Sequence, residues 1–241
     1  MRNILVIGAS GDIGKAIVKQ MAEADDHASF ILHYNQNKGA IHECVQSLRD
    51  DAVLQVIQAD LTTQEGAASL IEQIHFPVHA VIFVSGMAYH GLFQEMEEDV
   101  MDKMMHLHVK APWLITQHVL GHMIKEQAGK IIFITSIWGS TGASNEVIYS
   151  AVKGAQNSFV KALGKELAPN GIRVNAVSPG FIETKMNDTI EDEDKKQIMT
   201  DIPAQRAGLP EEVAHAVQFL LDDRSNYIVG EIIQVSGGWH S

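Results

Sequence analysis

The chain has 241 residues, 46% of them hydrophobic, which is enough to bury one sizeable core and requires no second domain. A net charge of -12 argues against nucleic acid or an anionic membrane as the main partner. The single cysteine, Cys44, excludes an internal disulfide and points to a reducing, cytoplasmic setting, in line with the lack of a signal peptide or of an apolar run near the ~18 residues of a membrane span.

Asn3 to Ile7 reads as a short strand that runs into GASGDIG, Gly8 to Gly14, and then into the helical pattern Lys15 to Ala24. Glycines there let the backbone approach a pyrophosphate, and the helix behind them offers unpaired N–H groups and the positive end of its dipole. Asp12 is expected to N-cap that helix. Phe30 to His33 is a second strand, at whose end NAD-selective enzymes carry an acidic residue for the ribose 2′-hydroxyl. This chain has His33, Tyr34 and Asn35 instead, so no carboxylate repels a 2′-phosphate, and Lys38 and a protonated His33 are available to pair with it. NADPH is the favoured cofactor, against the alternative of a polar loop with no preference. Val53 to Ala59 is a third strand ending at Asp60, and His79 to Val84 a fourth that continues to Gly86.

A long helical pattern from Glu97 to Glu126 is interrupted at Pro112, which should bend it or leave a carbonyl unpaired. His118 and His122 share its i,i+4 spacing, but VLG between them lacks the glutamate of a HExxH site and no third ligand is evident, so no metal is expected. Ile131 to Thr135 then reads as a buried parallel strand that ends at Ser136. On the helix that follows, Tyr149 and Lys153 are four apart and share a face. An ammonium ~4 Å from a phenol, at an effective dielectric of ~20, contributes ~4 kcal/mol, or about three pKa units, which makes the phenol a usable acid near neutral pH. Ser136 adds a second donor to a carbonyl oxygen placed between them. A YxxxK spacing arises by chance in roughly one such chain in five, so the serine thirteen residues upstream of Tyr149 is what gives it meaning.

In this order and spacing Ser136, Tyr149 and Lys153 resemble the active site of the short-chain dehydrogenase/reductase family, and the resemblance runs from GASGDIG through IRVNAVSPGFIET to GEIIQVSGGW. It implies an α/β fold, a single-domain Rossmann-type doubly wound parallel sheet of about seven strands flanked by helices, with the ligand crevice at the strands' C-terminal ends. Hydride would pass from nicotinamide C4 to a ketone carbon while Ser136 orients the oxygen, Tyr149 donates the proton, and Lys153 lowers the phenol pKa and holds the nicotinamide ribose. Gly8, Ser10, Asp12, Ile13 and Gly14 would hold the diphosphate, although Ile7 and Asp12 depart from the family's TGxxxGxG. Asp60, with Leu61 beside it, would meet the adenine amino group, or be an ordinary loop residue. Of the family's NNAG only Gly86 remains. Pro179 and Gly180 would cover the nicotinamide, Ile182 and Thr184 would reach its carboxamide and the phosphates, and Lys185 to Ala207 looks like a mobile substrate lid. His108 falls where an asparagine completes the family's catalytic tetrad; it would support or titrate in the proton relay, or simply pack the helix.

The most similar branch is that of bacterial 3-oxoacyl-(acyl-carrier-protein) reductases, which implies a homotetramer pairing the 97–126 helix and the Tyr149 helix, with GGWHS near a second interface. Two ketone substrates are consistent with it. Carrier-protein docking would use basic residues, but Gln127 and Asn170 occupy the usual arginine places and only Lys125, Lys130 and Arg173 lie nearby. The stretch SIWGSTGASNEVIYS also resembles a branch that reduces a 5-aminopentanone group on a lysine of elongation factor P, an amine-ended ketone suited to Glu146 and to Glu95 to Asp99. A separate reading, a nucleotide-binding sensor or scaffold without turnover, draws on the departures at Ile7, Asp12, Phe83, Val84 and His108, and is opposed by the intact Ser136, Tyr149 and Lys153.

Overall fold

In the computed structural model, which describes residues 2–188 and 190–239, the apolar runs become strands β1 (Arg2–Ile7), β2 (Ala28–Tyr34), β3 (Val53–Gln58), β4 (Ala80–Phe83), β5 (Gly129–Ile134), β6 (Ile172–Pro179) and β7 (Ile232–Val235). Helices connect them: α1 (Asp12–Ala24), α2 (Lys38–Gln46), α3 (Gln64–Gln73), α4 (Glu98–Met105), α5 (Ala111–Glu126), the short α6 (Trp138–Thr141), α7 (Val147–Leu167), α8 (Asp192–Asp201) and α9 (Pro210–Leu221). The strands form one parallel sheet in the order β3-β2-β1-β4-β5-β6-β7.

The strands read as nearly unbroken apolar runs because helices cover both faces. Alternation sorts their side chains: Ile4 and Val6 join the cluster under α1, α2 and α9, and Leu5 and Ile7 join the one under α3, α5 and α7. The sheet is doubly wound, with β1 flanked by β2 on one side and β4 on the other. The chain order reverses there, so the loops after β1 and β4 diverge and leave a crevice at the strands' C-terminal ends.

One helical expectation needs correction: α1 starts at Asp12, with Gly11 rather than Asp12 at the N-cap and no side chain capping it. The 97–126 pattern is interrupted near Pro112, as expected. It breaks into α4, a wide π turn over His106–Lys110, and α5, whose first turn contains Pro112. Pro112 has no N–H for the carbonyl four residues back, that of His108, and the Gln156 side chain of α7 donates to that oxygen instead at 2.7 Å. The freed carbonyl therefore pins the broken helix to the helix that carries Tyr149. The 185–207 stretch forms a 3-10 turn, Lys185–Asn187, followed by α8. Among the described residues no helix is long and apolar enough to cross a membrane, and no group of three or more His, Cys, Asp or Glu side chains is placed to hold a metal.

Candidate active site

The crevice holds a cavity of about 390 Å³ along the β1–α1 turn. Gly8 makes it possible: its φ is +97°, and a Cβ there would lie 2.6 Å from the backbone nitrogen of Ser85 at the end of β4. Gly14 is equally constrained, since its Cβ would meet the Gly8 oxygen at 2.3 Å. With no side chain capping α1, its first-turn N–H groups have no side-chain acceptor, and a dinucleotide diphosphate fits that donor set. Gly8, Ser10, Asp12, Ile13 and Gly14 line this cavity, as do His33, Asn35, Leu61, Gly86 and Thr184 from the other loops.

Two side chains at the end of β2 are not placed as the sequence suggested. His33 does line the cavity, but its Nδ1 accepts the Gly8 N–H at 3.1 Å and its Nε2 lies 3.0 Å from the Ala59 oxygen, so the proton sits on Nε2. Burial pushes its pKa down to about 4, so His33 is neutral and offers no charge to a 2′-phosphate; it braces the ends of β1, β2 and β3. Tyr34 turns away into the apolar cluster beneath α1 and α2. Asp60 lies between the cavity residues Asn35 and Leu61, its carboxylate accepting from the Asn35 side chain at 3.3 Å, the Thr62 N–H at 3.0 Å and the Thr62 hydroxyl at 2.8 Å. Asn37 lines the cavity and was missed, although its place before a helix was a signal: its side chain N-caps α2 by accepting the Ala40 N–H at 3.0 Å.

A second cavity, about 160 Å³, adjoins the first and shares Ile13, Val84, Ser85, Gly86, Thr184 and Met186 with it. Ser136, Tyr149 and Lys153 line it together, with Pro179, Gly180 and Ile182 across from them. Ser136 is placed by the end of β5, and its hydroxyl also accepts the Trp138 N–H at 3.2 Å. Lys153 is buried, donates to the Ile134 oxygen at 2.9 Å, and lies 5.6 Å from the centre of the Tyr149 ring.

This geometry reverses the expected depression of the phenol pKa. Burial pushes Tyr149 up to about 12, hydrogen bonding with Ser136 pulls it back, and the nearby Glu146 carboxylate adds to the rise. Burial alone brings Lys153 down to about 7. Burial is the leading cause of both shifts. The phenol keeps its proton through the neutral range, and it is the lysine that titrates there.

His108 is fully buried, with its ring edge-on to Tyr149 at 5.8 Å between centroids. Its Nε2 lies 3.2 Å from the Met87 nitrogen and 2.9 Å from the Met87 oxygen. Burial, reinforced by the charge on Lys153, lowers its pKa to about 3, so it does not titrate in a relay near neutral pH. Its ring steadies the loop after β4, and its carbonyl is engaged by Gln156. Glu146, at the N-cap of α7, also lines the reaction pocket; burial raises its pKa, and the His90 Nδ1 is 4.0 Å away. Trp138 and Trp239, which were not anticipated, meet edge-on at 5.1 Å on the same pocket.

A family model, adh_short_C2, described as enoyl-(acyl carrier protein) reductase, matches residues 8–240. The chain belongs to the short-chain dehydrogenase/reductase family. Within it, the chain is 42% identical over 241 residues to the uncharacterized oxidoreductase YmfI of Bacillus subtilis, covering 99% of each chain. It is 33% identical over 237 residues to the 3-oxoacyl-(acyl-carrier-protein) reductase FabG of Aquifex aeolicus, covering 97% of this chain and 95% of that one. A crystal structure from Beutenbergia cavernae, described provisionally as an NAD(P)-dependent gluconate 5-dehydrogenase with NADP bound at low occupancy, superposes with a TM-score of 0.92 at 27% identity, covering 99% of this chain and 96% of that one. Membership of this short-chain family makes the protein an NAD(P)-dependent oxidoreductase acting at a carbonyl carbon.

The buried histidines of this short-chain fold give it a pH signature. Both folded pKa values, about 4 for His33 and about 3 for His108, lie below the ordinary value of 6.5, so the unfolded chain takes up these protons first as pH falls. Stability contributed by the neutral rings is complete above about 6.5 and declines as pH drops towards the folded values. Between about pH 6.5 and 5 each ring is expected to lose about 2 kcal/mol of stability. Urea unfolding of His108→Asn should show a shallower decline than wild type over that range, and parallel curves would contradict the assignment.

Proposed function

We propose that this chain reduces a ketone to a secondary alcohol with NADPH. The observation that carries the reading is the convergence of Ser136, Tyr149 and Lys153 in one pocket whose walls are continuous with the dinucleotide cavity. When bound, the reduced nicotinamide supplies the hydride. Ser136 and Tyr149 direct their hydroxyls at the carbonyl oxygen, and the phenol of Tyr149 gives it the proton as negative charge develops there. The phenolate left behind is half-buried, and the buried Lys153 ammonium beside it stabilises it. A sensor or scaffold without turnover would have no use for this convergence.

NADPH is preferred because no carboxylate lines the cavity between Asn35 and Asn37, and the Beutenbergia cavernae protein carries NADP. Burial of Tyr34 moves the selective position to Asn35. Exposed Met105, Trp113 and Ile124 on the α4–α5 surface support a homotetramer in which these helices pair. Of the residues near the second expected interface, His240 and Ser241 lie outside the described residues.

Two substrates suit the reaction. A 3-oxoacyl thioester on acyl carrier protein is supported by the names of the FabG relatives. The 5-aminopentanone group on a lysine of elongation factor P is supported by the pocket itself: Glu146 places a carboxylate beside Tyr149, where an ammonium on the substrate would be neutralised. Of the basic residues near the carrier-docking places, Lys130 is buried against the Leu221 carbonyl and Asp223 and Arg173 is turned to the carbonyls of Ala168 and Asn226, which leaves the exposed Lys125 to meet an acidic carrier.

Tyr149→Phe is expected to abolish reduction while NADPH affinity, read by fluorescence titration, stays within about twofold; undiminished turnover would contradict the proton donor. Wild type is expected to use NADPH over NADH, and Asn35→Asp to reverse the order, in steady-state kinetics with both cofactors; equal kcat/KM with both in wild type would refute the preference. Paired kinetics on an acetoacetyl thioester and an aminopentanone-modified lysine peptide should favour the peptide, with Glu146→Gln removing most of that advantage. A thioester preference of more than about tenfold would defeat the elongation-factor reading. Light scattering should give a tetramer, and a monomer at micromolar concentration would contradict the assembly.

A further inference from the structure

Asp12 is the anomaly of the dinucleotide turn, an anionic side chain at the helix end where an anionic ligand is expected. Its carboxylate is fully committed elsewhere. Oδ2 accepts the backbone N–H of Lys185 at 2.8 Å, across 173 residues of chain, and Oδ1 is 3.4 Å from the Lys15 ammonium. Lys185 opens the 3-10 turn Lys185–Asn187, and Thr184, at the cap of that turn, supplies no side-chain bond. The first N–H of a helical turn needs an acceptor from outside it, and Asp12 provides one from a different part of the fold.

Among the described residues, the other hydrogen bonds of 184–187 are local. Asn187 donates its backbone N–H to the Thr184 oxygen and its side chain to the Ile182 oxygen, and Asp188 donates to the Lys185 oxygen. Upstream, the segment is anchored where Glu183 donates to the Gly208 oxygen at 2.9 Å. The Asp12 bond is thus what ties the segment to the β1–α1 turn. Thr184 and Met186 line both cavities and Lys185 lines the dinucleotide cavity, so the tied segment is a wall common to the cofactor and the ketone.

We propose that Asp12 is a positioning residue that latches segment 184–187 across the mouth of the two cavities, holding the reaction pocket in shape at the expense of affinity for the dinucleotide diphosphate. A glycine at this position would have no side chain to accept the Lys185 N–H. The charge and the acceptor act separately: the negative charge opposes the diphosphate, and the oxygen holds Lys185. The effect on the ketone rests on the reductase reading, whereas the latch and the effect on NADPH do not.

The test uses full-length wild type, Asp12→Ala and Asp12→Asn, with urea unfolding as a check that all three are folded. Hydrogen exchange in the peptide spanning Lys185 to Asp188 should quicken about tenfold or more in Asp12→Ala, as expected for loss of a bond to a charged acceptor, and remain near wild type in Asp12→Asn, which keeps an acceptor oxygen. NADPH titration should give a lower Kd in both variants, several-fold below wild type, because both lose the charge. KM for the ketone should rise in Asp12→Ala and be restored in Asp12→Asn. Opposite shifts for cofactor and ketone are not produced by general loosening, which weakens both. Unchanged exchange in Asp12→Ala, or exchange in Asp12→Asn as fast as in Asp12→Ala, would overturn the latch, and unchanged NADPH affinity in both variants would overturn the trade-off. If exchange and NADPH affinity respond while no ketone is reduced by wild type, the latch stands and the reductase reading fails.

Discussion

Lys153 places an ammonium in the interior with the Ile134 carbonyl as its hydrogen-bond acceptor, 2.9 Å away at the end of β5. Burying a cation is costly unless it is paired or able to shed its proton, and here the balance brings its pKa down to about 7. The surroundings serve that placement. β5 delivers both the carbonyl that receives Nζ and, two residues on, Ser136. α7 delivers Tyr149 and Lys153 from one face, and the Gln156 to His108 bond fastens α7 to the turn before α5. The sheet's parallel order brings these pieces to the same edge as the β1–α1 turn, which is why the reaction pocket and the dinucleotide cavity share walls.

His33, His108 and Asp12, at places where the family or its NAD-selective members carry other residues, are held by contacts within the fold. His33 replaces an acidic residue and becomes a neutral strut between Gly8 and Ala59. His108 replaces an asparagine and fills the space beneath Gly86, whose Cβ would lie 3.2 Å from the His108 ring. Asp12 replaces a glycine and turns its charge towards Lys185 and Lys15. Two of the three rings or carboxylates thus sit where a ligand contact was expected and serve the scaffold instead.

Much of the architecture was legible because strands covered on both faces write themselves as apolar runs, and because Gly8 and Gly14 are required by backbone contacts that leave no room for a Cβ. Ser136, Tyr149 and Lys153 were legible as a group because helical spacing fixes the last two on one face. What the sequence hid was orientation and solvent. Nothing in HYN shows that Tyr34 turns into the core, or that His33 reaches the cavity wall with both ring nitrogens already engaged by backbone groups. The Tyr149–Lys153 pair differs from a solvated pair because burial raises the phenol pKa and lowers that of the ammonium, which helical spacing does not show. The Asp12 to Lys185 bond joins positions 173 apart, a distance over which no local pattern carries information.

A buried Lys153 must be charged for Tyr149 to release its proton. The pH dependence of kcat/KM for ketone reduction tests this most directly. With Lys153 titrating at about 7 and Tyr149 at about 12, the rate should be level on the acidic side of neutrality and fall by about tenfold per pH unit above it, well before the phenol ionises. A rate that stays level or rises from about pH 7 to about pH 9 would contradict the account.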